Sequence, residues 1–134
     1  MKTYDIIVIG AGRASNLARN AGEAGKKVAI VEKSKFGGTC PNRGCVPSKL
    51  LIGYAEVARS IKDSSRHFID AKIESIDVEK IFEETNSFIN SIDPAYRSRF
   101  NENVDTYTGT ASFVSNYVVV VNGEKITAPK IVIA

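Results

Sequence analysis

Two cysteines are the residues of this chain best suited to chemistry. Cys40 and Cys45 are the only cysteines, and they stand in a glycine- and proline-rich stretch, residues 37–47 (GGTCPNRGCVP). Three interpretations are open: a zinc site, two ordinary buried thiols, or a redox-active disulfide. Zinc prefers four ligands, and His67 is the one remaining soft partner. Buried thiols stay open because cysteine is a common core residue.

The surroundings of the pair favour the redox interpretation. A helix is predicted from Pro47 to Asp63, so Cys45 stands just before a helix N-terminus, where the reactive thiolate form of cysteine is stabilised. Arg43 and Lys49 place positive charge nearby. A loop rich in proline and glycine is also able to hold two sulfurs within bonding range.

A second chemical signal lies near the N-terminus, in residues 10–15 (GAGRAS). Gly10 permits a tight turn, and Gly12 lets a pyrophosphate approach the backbone at the N-terminus of a helix. Glu32 closes the next predicted strand and is able to accept hydrogen bonds from both hydroxyls of an unphosphorylated ribose. Ser15 replaces the third glycine of the usual pattern. The alternative is a tight strand-to-helix turn that binds no ligand.

The elements around this loop read as a strand, a helix and a parallel strand. Strands are predicted at Tyr4–Ile9 and Val28–Val31, and a helix at residues 13–24 that stops at Gly25. The helix residues expected to face inward are Leu17, Ala18 and Ala21.

The rest of the chain changes from helices to strands. Asp77 is a predicted N-cap for a helix with apolar residues at helical spacing along residues 78–92, and Asp93-Pro94 is expected to end it. Asn122-Gly123 is a strong hairpin signal. The later strands are predicted at Val104–Tyr107, Ala111–Val114, Tyr117–Val121, Lys125–Ala128 and Lys130–Ala134. The predicted fold is α/β: a Rossmann-like parallel sheet with flanking helices, plus a small antiparallel β-meander.

Length and composition fit a soluble globular domain, or part of one. The chain has 134 residues, a net charge of +3 and 43% hydrophobic residues. No apolar run approaches the roughly 20 residues of a membrane helix, and the basic residues are scattered, so neither a membrane nor nucleic acid is expected as a partner. The N-terminus lacks a signal-peptide pattern, which predicts a cytoplasmic protein.

Residues 37–49 (GGTCPNRGCVPSK) resemble the active-site motif of the pyridine nucleotide–disulfide oxidoreductases. This family includes dihydrolipoamide dehydrogenase and the glutathione, mycothione and mercuric reductases. The resemblance covers the whole chain, through residues 10–15, 28–33, 109–111 and 131–134. Arg13 and Ser15 depart from the family pattern and put the detail of pyrophosphate binding in question.

The resemblance implies that FAD is the bound dinucleotide. Its pyrophosphate would be lined by the first loop, its ribose held by Glu32, and its adenine met by the backbone of Ala111. Gly38 and Thr39 would run beside the diphosphate and ribityl chain. The cofactor-binding residues implied in this way are Gly10, Gly12, Ala14, Ser15, Glu32, Lys33, Gly38, Thr39, Cys45, Lys49, Ala111 and Ala134.

The resemblance also implies three catalytic residues and no metal site. Cys40 would be the interchange thiol that meets the substrate, and Cys45 the charge-transfer thiol against the flavin. Lys49 would stabilise negative charge near flavin N5. His67 is expected to be an ordinary surface histidine rather than the catalytic base of the family.

The function implied is electron transfer between a substrate dithiol, the Cys40–Cys45 disulfide, FAD and NAD(P). Within the family, Pro47-Ser48-Lys49 favours a dihydrolipoamide dehydrogenase-like enzyme, with a small dithiol or a lipoyl carrier protein as partner and a homodimer as the assembly. The alternatives are an NAD(P)H-driven disulfide or mercuric reductase and, in another class, a non-catalytic dinucleotide-binding module. Residues 1–134 are expected to be the N-terminal part of an FAD-binding domain, without the NAD(P)-binding and dimerisation domains and without turnover of their own.

Overall fold

The chain forms eight strands in the computed structural model, which describes residues 1–134. The strands are β1 (Lys2–Thr3), β2 (Ile6–Ile9), β3 (Val28–Glu32), β4 (Val104–Thr108), β5 (Ser112–Ser115), β6 (Val118–Val121), β7 (Glu124–Thr127) and β8 (Lys130–Ile133). The helices are α1 (Ser15–Glu23), α2 (Thr39–Arg43), α3 (Cys45–Asp63), α4 (Val78–Asn90) and α5 (Ile92–Arg97), with a 3-10 helix at Ser64–His67. Residues 1–39 and 92–134 form one unit, and residues 40–91 form another.

The first unit is built on a four-stranded parallel sheet in the order β4-β3-β2-β8. In its register Ile7 lies beside Ala29 on one side and Ile131 on the other. Parallel strands are buried on both faces, which is why β2 and β3 are continuous apolar runs rather than alternating ones. The α/β fold class predicted from the sequence is confirmed.

A second sheet, in the order β1-β7-β6-β5, covers one face of the first. Strands β5, β6 and β7 are antiparallel, and β1 joins β7 in parallel. Asn122 and Gly123 have φ of 51° and 81° between β6 and β7. Both central residues of a type I′ turn need positive φ, so the hairpin predicted at this dipeptide is confirmed.

The core of this unit has two layers, one on each face of the parallel sheet. Towards the meander, the buried side chains are Tyr4, Ile7, Ala29, Val31, Val119, Val121, Ile126 and Ala128. On the opposite face they are Val8, Ala11, Ala18, Val28, Ile30, Phe36 and Val104. The carboxyl ends of β2 and β3 are therefore held rigidly, and the candidate site lies at those ends.

Helix α1 differs from its prediction in both its start and its buried face. It begins at Ser15 rather than at residue 13, and Leu17, expected to face inward, is 44% exposed. The buried residues are Ser15, Ala18 and Gly22. A Cβ on Gly22 would collide with Val104, so small residues on this stripe let the helix lie close to the sheet.

Other helix and strand boundaries also differ from their predictions. The predicted strand Tyr4–Ile9 is shorter, and the two residues of β1 pair in the other sheet. The helix capped by Asp77 ends at Asn90, and Pro94 lies in the first turn of α5, a position that tolerates proline because its missing N–H has no helical partner. The Asp77 cap itself is confirmed, since its Oδ1 accepts a hydrogen bond from the Lys80 amide at 3.0 Å.

The second unit is helical and consists of α2, α3, the 3-10 helix and α4. Helices α3 and α4 are joined by the Tyr54 hydroxyl, which donates to Glu84 Oε2 at 2.9 Å and thereby raises the pKa of Tyr54. Val57 of α3 is 62% exposed. None of the helices combines the length and apolar character that a membrane crossing demands.

Tyr4 ties the start of β2 to β4 through a polar contact inside the first unit. Its hydroxyl donates to Asp105 Oδ2 at 2.5 Å and lies 2.7 Å from the Tyr107 hydroxyl. The Tyr4 side chain is buried. Burial and, after it, these hydrogen bonds raise the pKa of Tyr4 well above its ordinary value near 10.

We expect Tyr4→Phe to lower the free energy of unfolding by about 1–2 kcal/mol near neutral pH, because a hydrogen bond to a charged acceptor is lost. A folded pKa above the unfolded one adds stability below pH 10 that is lost as the pH rises further. Urea unfolding of both proteins at neutral pH and above pH 10 should therefore show their stabilities converging. Tyr117→Phe, at an exposed tyrosine, should match wild type throughout; a gap between wild type and Tyr4→Phe that is constant with pH contradicts this assignment.

Candidate functional site

The phosphate-type loop, residues 10–15, lies where β2 ends, and the backbone conformation at its first position requires glycine. Gly10 has φ of 104°, and its amide donates to the Val31 carbonyl at 2.8 Å. A Cβ on Gly10 would run into the carbonyl oxygen of Ala134. The turn thus brings the ends of β2, β3 and β8 together at one point.

The N-terminus of α1 lies at this point and carries no side-chain cap, since Ala14 occupies the N-cap position. The first helical residue is Ser15, which is buried and donates from Oγ to the Ala11 carbonyl at 2.8 Å. Serine therefore fits at the place of the third glycine because its hydroxyl is satisfied internally. An uncapped helix N-terminus presents N–H groups and a positive dipole to an anion.

A second backbone segment closes against the loop. Gly38 has φ of 79°, and a Cβ there would lie 2.8 Å from the Gly12 Cα. The amide of Gly37 also donates to the Ala11 carbonyl at 2.8 Å. The two backbone segments thus meet without side chains between them, while the approach of a pyrophosphate to Gly12 stays a prediction.

Glu32 links these parts through both carboxylate oxygens. Its Oε2 accepts from the Ala11 amide at 2.9 Å, and its Oε1 accepts from the Ser34 amide at 2.8 Å. The Glu32 carbonyl in turn accepts from the Gly109 amide at 2.9 Å. The carboxylate is therefore fixed at the carboxyl end of β3, with lone pairs remaining on each oxygen.

A cavity of about 300 Å³ lies at the carboxyl ends of the parallel strands. Its lining residues are Ile9, Gly10, Val31, Glu32, Lys33, Gly109, Thr110, Ala111 and Ala134. The fold thus brings together five of the cofactor-binding residues predicted from the sequence, which lie far apart along the chain. Ile9 and Val31 also line the cavity but were not predicted as site residues. The rule that ligands bind outside the carboxyl ends of parallel strands could have identified them.

The disulfide lies in the second unit. Cys40 and Cys45 are joined, with their Cα atoms 4.9 Å apart, and both residues are exposed. The interpretation as two buried thiols is therefore wrong. Nowhere in the chain do three or more His, Cys, Asp or Glu side chains group as a metal-binding set.

Two helices of different length hold the two sulfurs. Thr39–Arg43 form the short helix α2, and Cys45 is the first residue of the 19-residue helix α3. A long helix stabilises an anion at its N-terminus, so the Cys45 position favours a thiolate once the bond is opened. Lys49 is exposed one turn further along α3, and Thr39 begins α2.

Residues 4–134 match the family model described as pyridine nucleotide-disulphide oxidoreductase. The chain belongs to the pyridine nucleotide-disulphide oxidoreductase family. The resemblance stated from the sequence is thereby confirmed.

Relatives within this family carry different names. The chain is 35% identical to mycothione reductase of Mycobacterium tuberculosis, over 100% of this chain and 31% of the relative. It is 34% identical to dihydrolipoyl dehydrogenase of Chlamydia trachomatis, over 92% of this chain and 27% of the relative. Among solved structures, the HOCl-induced flavoprotein disulfide reductase RclA of Escherichia coli superposes with a TM-score of 0.80 at 28% identity, over 98% of this chain and 28% of that one. The chain thus spans between a quarter and a third of the length of these family members.

Proposed function

We propose that the first unit binds FAD and that the Cys40–Cys45 disulfide exchanges with a substrate dithiol. The observation that carries the proposal is the contact between Gly12 and Gly38 beside the uncapped N-terminus of α1. A Cβ on Gly38 would press on the Gly12 Cα, so the two backbone segments meet here only because residue 38 is glycine. The helix N-terminus beside them offers amide dipoles to an anion with the charge of a pyrophosphate. The residues present therefore fit the group.

Different residues of the first unit would bind different parts of the dinucleotide. Gly10, Gly12 and Ala14 would hold the pyrophosphate, and Ser15 keeps α1 close enough to the sheet for this. Glu32 would accept hydrogen bonds from the two ribose hydroxyls, and its negative charge disfavours a ribose that carries a phosphate. The backbone of Ala111 would contact the adenine. When bound, FAD supplies a two-electron carrier between thiols and a nicotinamide.

The disulfide performs the sulfur chemistry by exchange. One thiolate of the substrate attacks Sγ of Cys40, which forms a mixed disulfide and releases Cys45 as a thiolate at the N-terminus of α3. The second substrate thiolate then attacks the substrate sulfur of the mixed disulfide, so the substrate leaves oxidised and Cys40 leaves as a thiolate. Two electrons have then moved from the substrate to the two cysteines.

For the whole enzyme we favour a dihydrolipoamide dehydrogenase-like reaction, with a lipoyl-type dithiol as donor, NAD(P) as final acceptor and a homodimer in the cytoplasm. Pro47-Ser48-Lys49 supports this choice. The reverse direction, an NAD(P)H-driven disulfide or mercuric reductase, is the second candidate. It is favoured by the relatives named mycothione reductase and mercuric reductase, which match over the same segment.

Retention of FAD tests the first half of the proposal. We expect the purified chain to keep FAD through gel filtration, and Glu32→Gln to raise the dissociation constant about tenfold, the loss of one charge-assisted hydrogen bond. Fluorescence quenching of added FAD measures both values. Glu102→Gln, an exposed carboxylate outside the groove, should bind like wild type. Equal affinity in wild type and Glu32→Gln would contradict the assigned role of Glu32, and no binding by wild type would overturn the FAD assignment for this chain.

A further inference from the structure

An ion pair on α5 contacts the backbone that leads into the groove. Asp93 Oδ1 accepts a hydrogen bond from the Phe36 amide at 2.6 Å, and Asp93 Oδ2 lies 3.0 Å from Arg97 Nε. The two charged side chains are 26% and 31% exposed, so they are largely shielded from water. Phe36 immediately precedes Gly37 and Gly38, the segment that closes against the phosphate-type loop.

The Arg97 side chain contacts both Phe36 and Thr108. Its guanidinium lies 3.9 Å from the centre of the Phe36 ring, and its Nη2 donates to Thr108 Oγ1 at 2.8 Å. Phe36 is fully buried and packs edge-on against Phe100. A planar guanidinium both stacks and donates in fixed directions, which a lysine does not. Arg97 therefore connects the segment before Gly37 with the end of β4.

Each contact lies next to a backbone hydrogen bond of the groove. The amide of Gly37, beside Phe36, donates to the Ala11 carbonyl, and the amide of Gly109, beside Thr108, donates to the Glu32 carbonyl, at 2.8 and 2.9 Å. One chain of contacts thus runs from the segment beside the phosphate-type loop, through α5, to the end of β4 beside Glu32.

We propose that Asp93 and Arg97 are positioning residues that set the separation of two backbone segments, called the two walls below: residues 36–38, which contact the phosphate-type loop, and residues 108–111, of which 109–111 line the cavity. Neither side chain lines the cavity, so both act through Phe36 and Thr108 rather than on the ligand. An ion pair that served only to stabilise α5 would have its contacts within that helix, whereas these contacts leave it in both directions. The effect on ligand affinity rests on the proposed function, and the effect on the walls does not.

The test compares Arg97→Lys with Arg99→Lys. Arg99 stacks on the Tyr96 ring at 4.5 Å but has no contact with either wall, so it matches the change in chemistry and in position along the chain. Amide hydrogen exchange of the whole chain, read residue by residue by NMR, is measured for Gly37 and Gly109, with the amides of β2 and β3 as internal reference. FAD affinity is measured on the same samples.

We expect Arg97→Lys to speed exchange at Gly37 and Gly109 about tenfold relative to the reference strands and to weaken FAD binding about tenfold. Arg99→Lys should change neither. Thr108→Val, a milder variant, should speed exchange at Gly109 alone. Unchanged exchange at both glycines in Arg97→Lys, or equal acceleration of every amide, overturns the proposal. If wild type binds no FAD, the proposed function fails for this chain, while the exchange rates still decide whether the pair holds the walls.

Discussion

Gly10→Ala is expected to lower the free energy of unfolding by about 3 kcal/mol or more, since two penalties of different origin add. The alanine would have to adopt φ of 104°, which L side chains rarely do. Its Cβ would also collide with the carbonyl of Ala134, which is backbone and follows directly after β8. Either Ala134 moves away or the turn after β2 opens.

Gly25→Ala provides the matched control. Gly25 has φ of 77° after α1, but a Cβ there meets nothing within 4 Å. It should therefore lose only about 1 kcal/mol, the strain of a left-handed alanine. Urea unfolding followed by circular dichroism measures both variants. Equal losses in the two variants would show that contact with Ala134 does not contribute.

Gly38→Ala is expected to raise the FAD dissociation constant about a hundredfold, or roughly 2.7 kcal/mol of binding free energy. The new methyl would lie 2.8 Å from the Gly12 Cα, so the two backbone segments must separate. Separation moves the amides around the phosphate-type loop away from the position that a pyrophosphate needs. Fluorescence titration with FAD measures the effect.

The control here is Gly123→Ala, in the hairpin between β6 and β7. Gly123 has φ of 81°, close to that of Gly38, but a Cβ there meets nothing. Both variants should lose stability from left-handed strain, and Gly38→Ala loses more because its methyl also presses on Gly12. Only Gly38→Ala should lose FAD affinity. An unchanged affinity in Gly38→Ala contradicts the view that the Gly12–Gly38 contact forms the pyrophosphate cradle.

Local sequence could predict the features of the fold that depend only on residues close together along the chain. Continuous apolar runs predicted the buried parallel strands β2 and β3, and Asn122-Gly123 predicted the hairpin turn, because each depends on a few neighbouring residues. The glycine loop could be interpreted because strand, turn and helix follow directly in the sequence. Its ligand roles remain predictions.

Tertiary packing decided what local sequence could not. Leu17 was expected to face inward, but α1 approaches the sheet so closely that only small side chains fit there, and Ser15 is buried instead. The contacts of Asp93 and Arg97 with Phe36 join residues more than fifty positions apart. No periodicity marks such pairs, and Asp93-Pro94 instead suggested the end of a helix.

The most direct test of the central claim is stopped-flow absorption of the FAD-loaded chain mixed with a dithiol. We predict that wild type bleaches the flavin band far faster than free FAD under the same conditions. Cys45→Ser and Cys40→Ser change residues that do not line the cavity, so both should retain FAD but bleach no faster than free FAD. Equal bleaching rates in wild type and both serine variants would contradict the claim that Cys40 and Cys45 pass electrons from a dithiol to FAD.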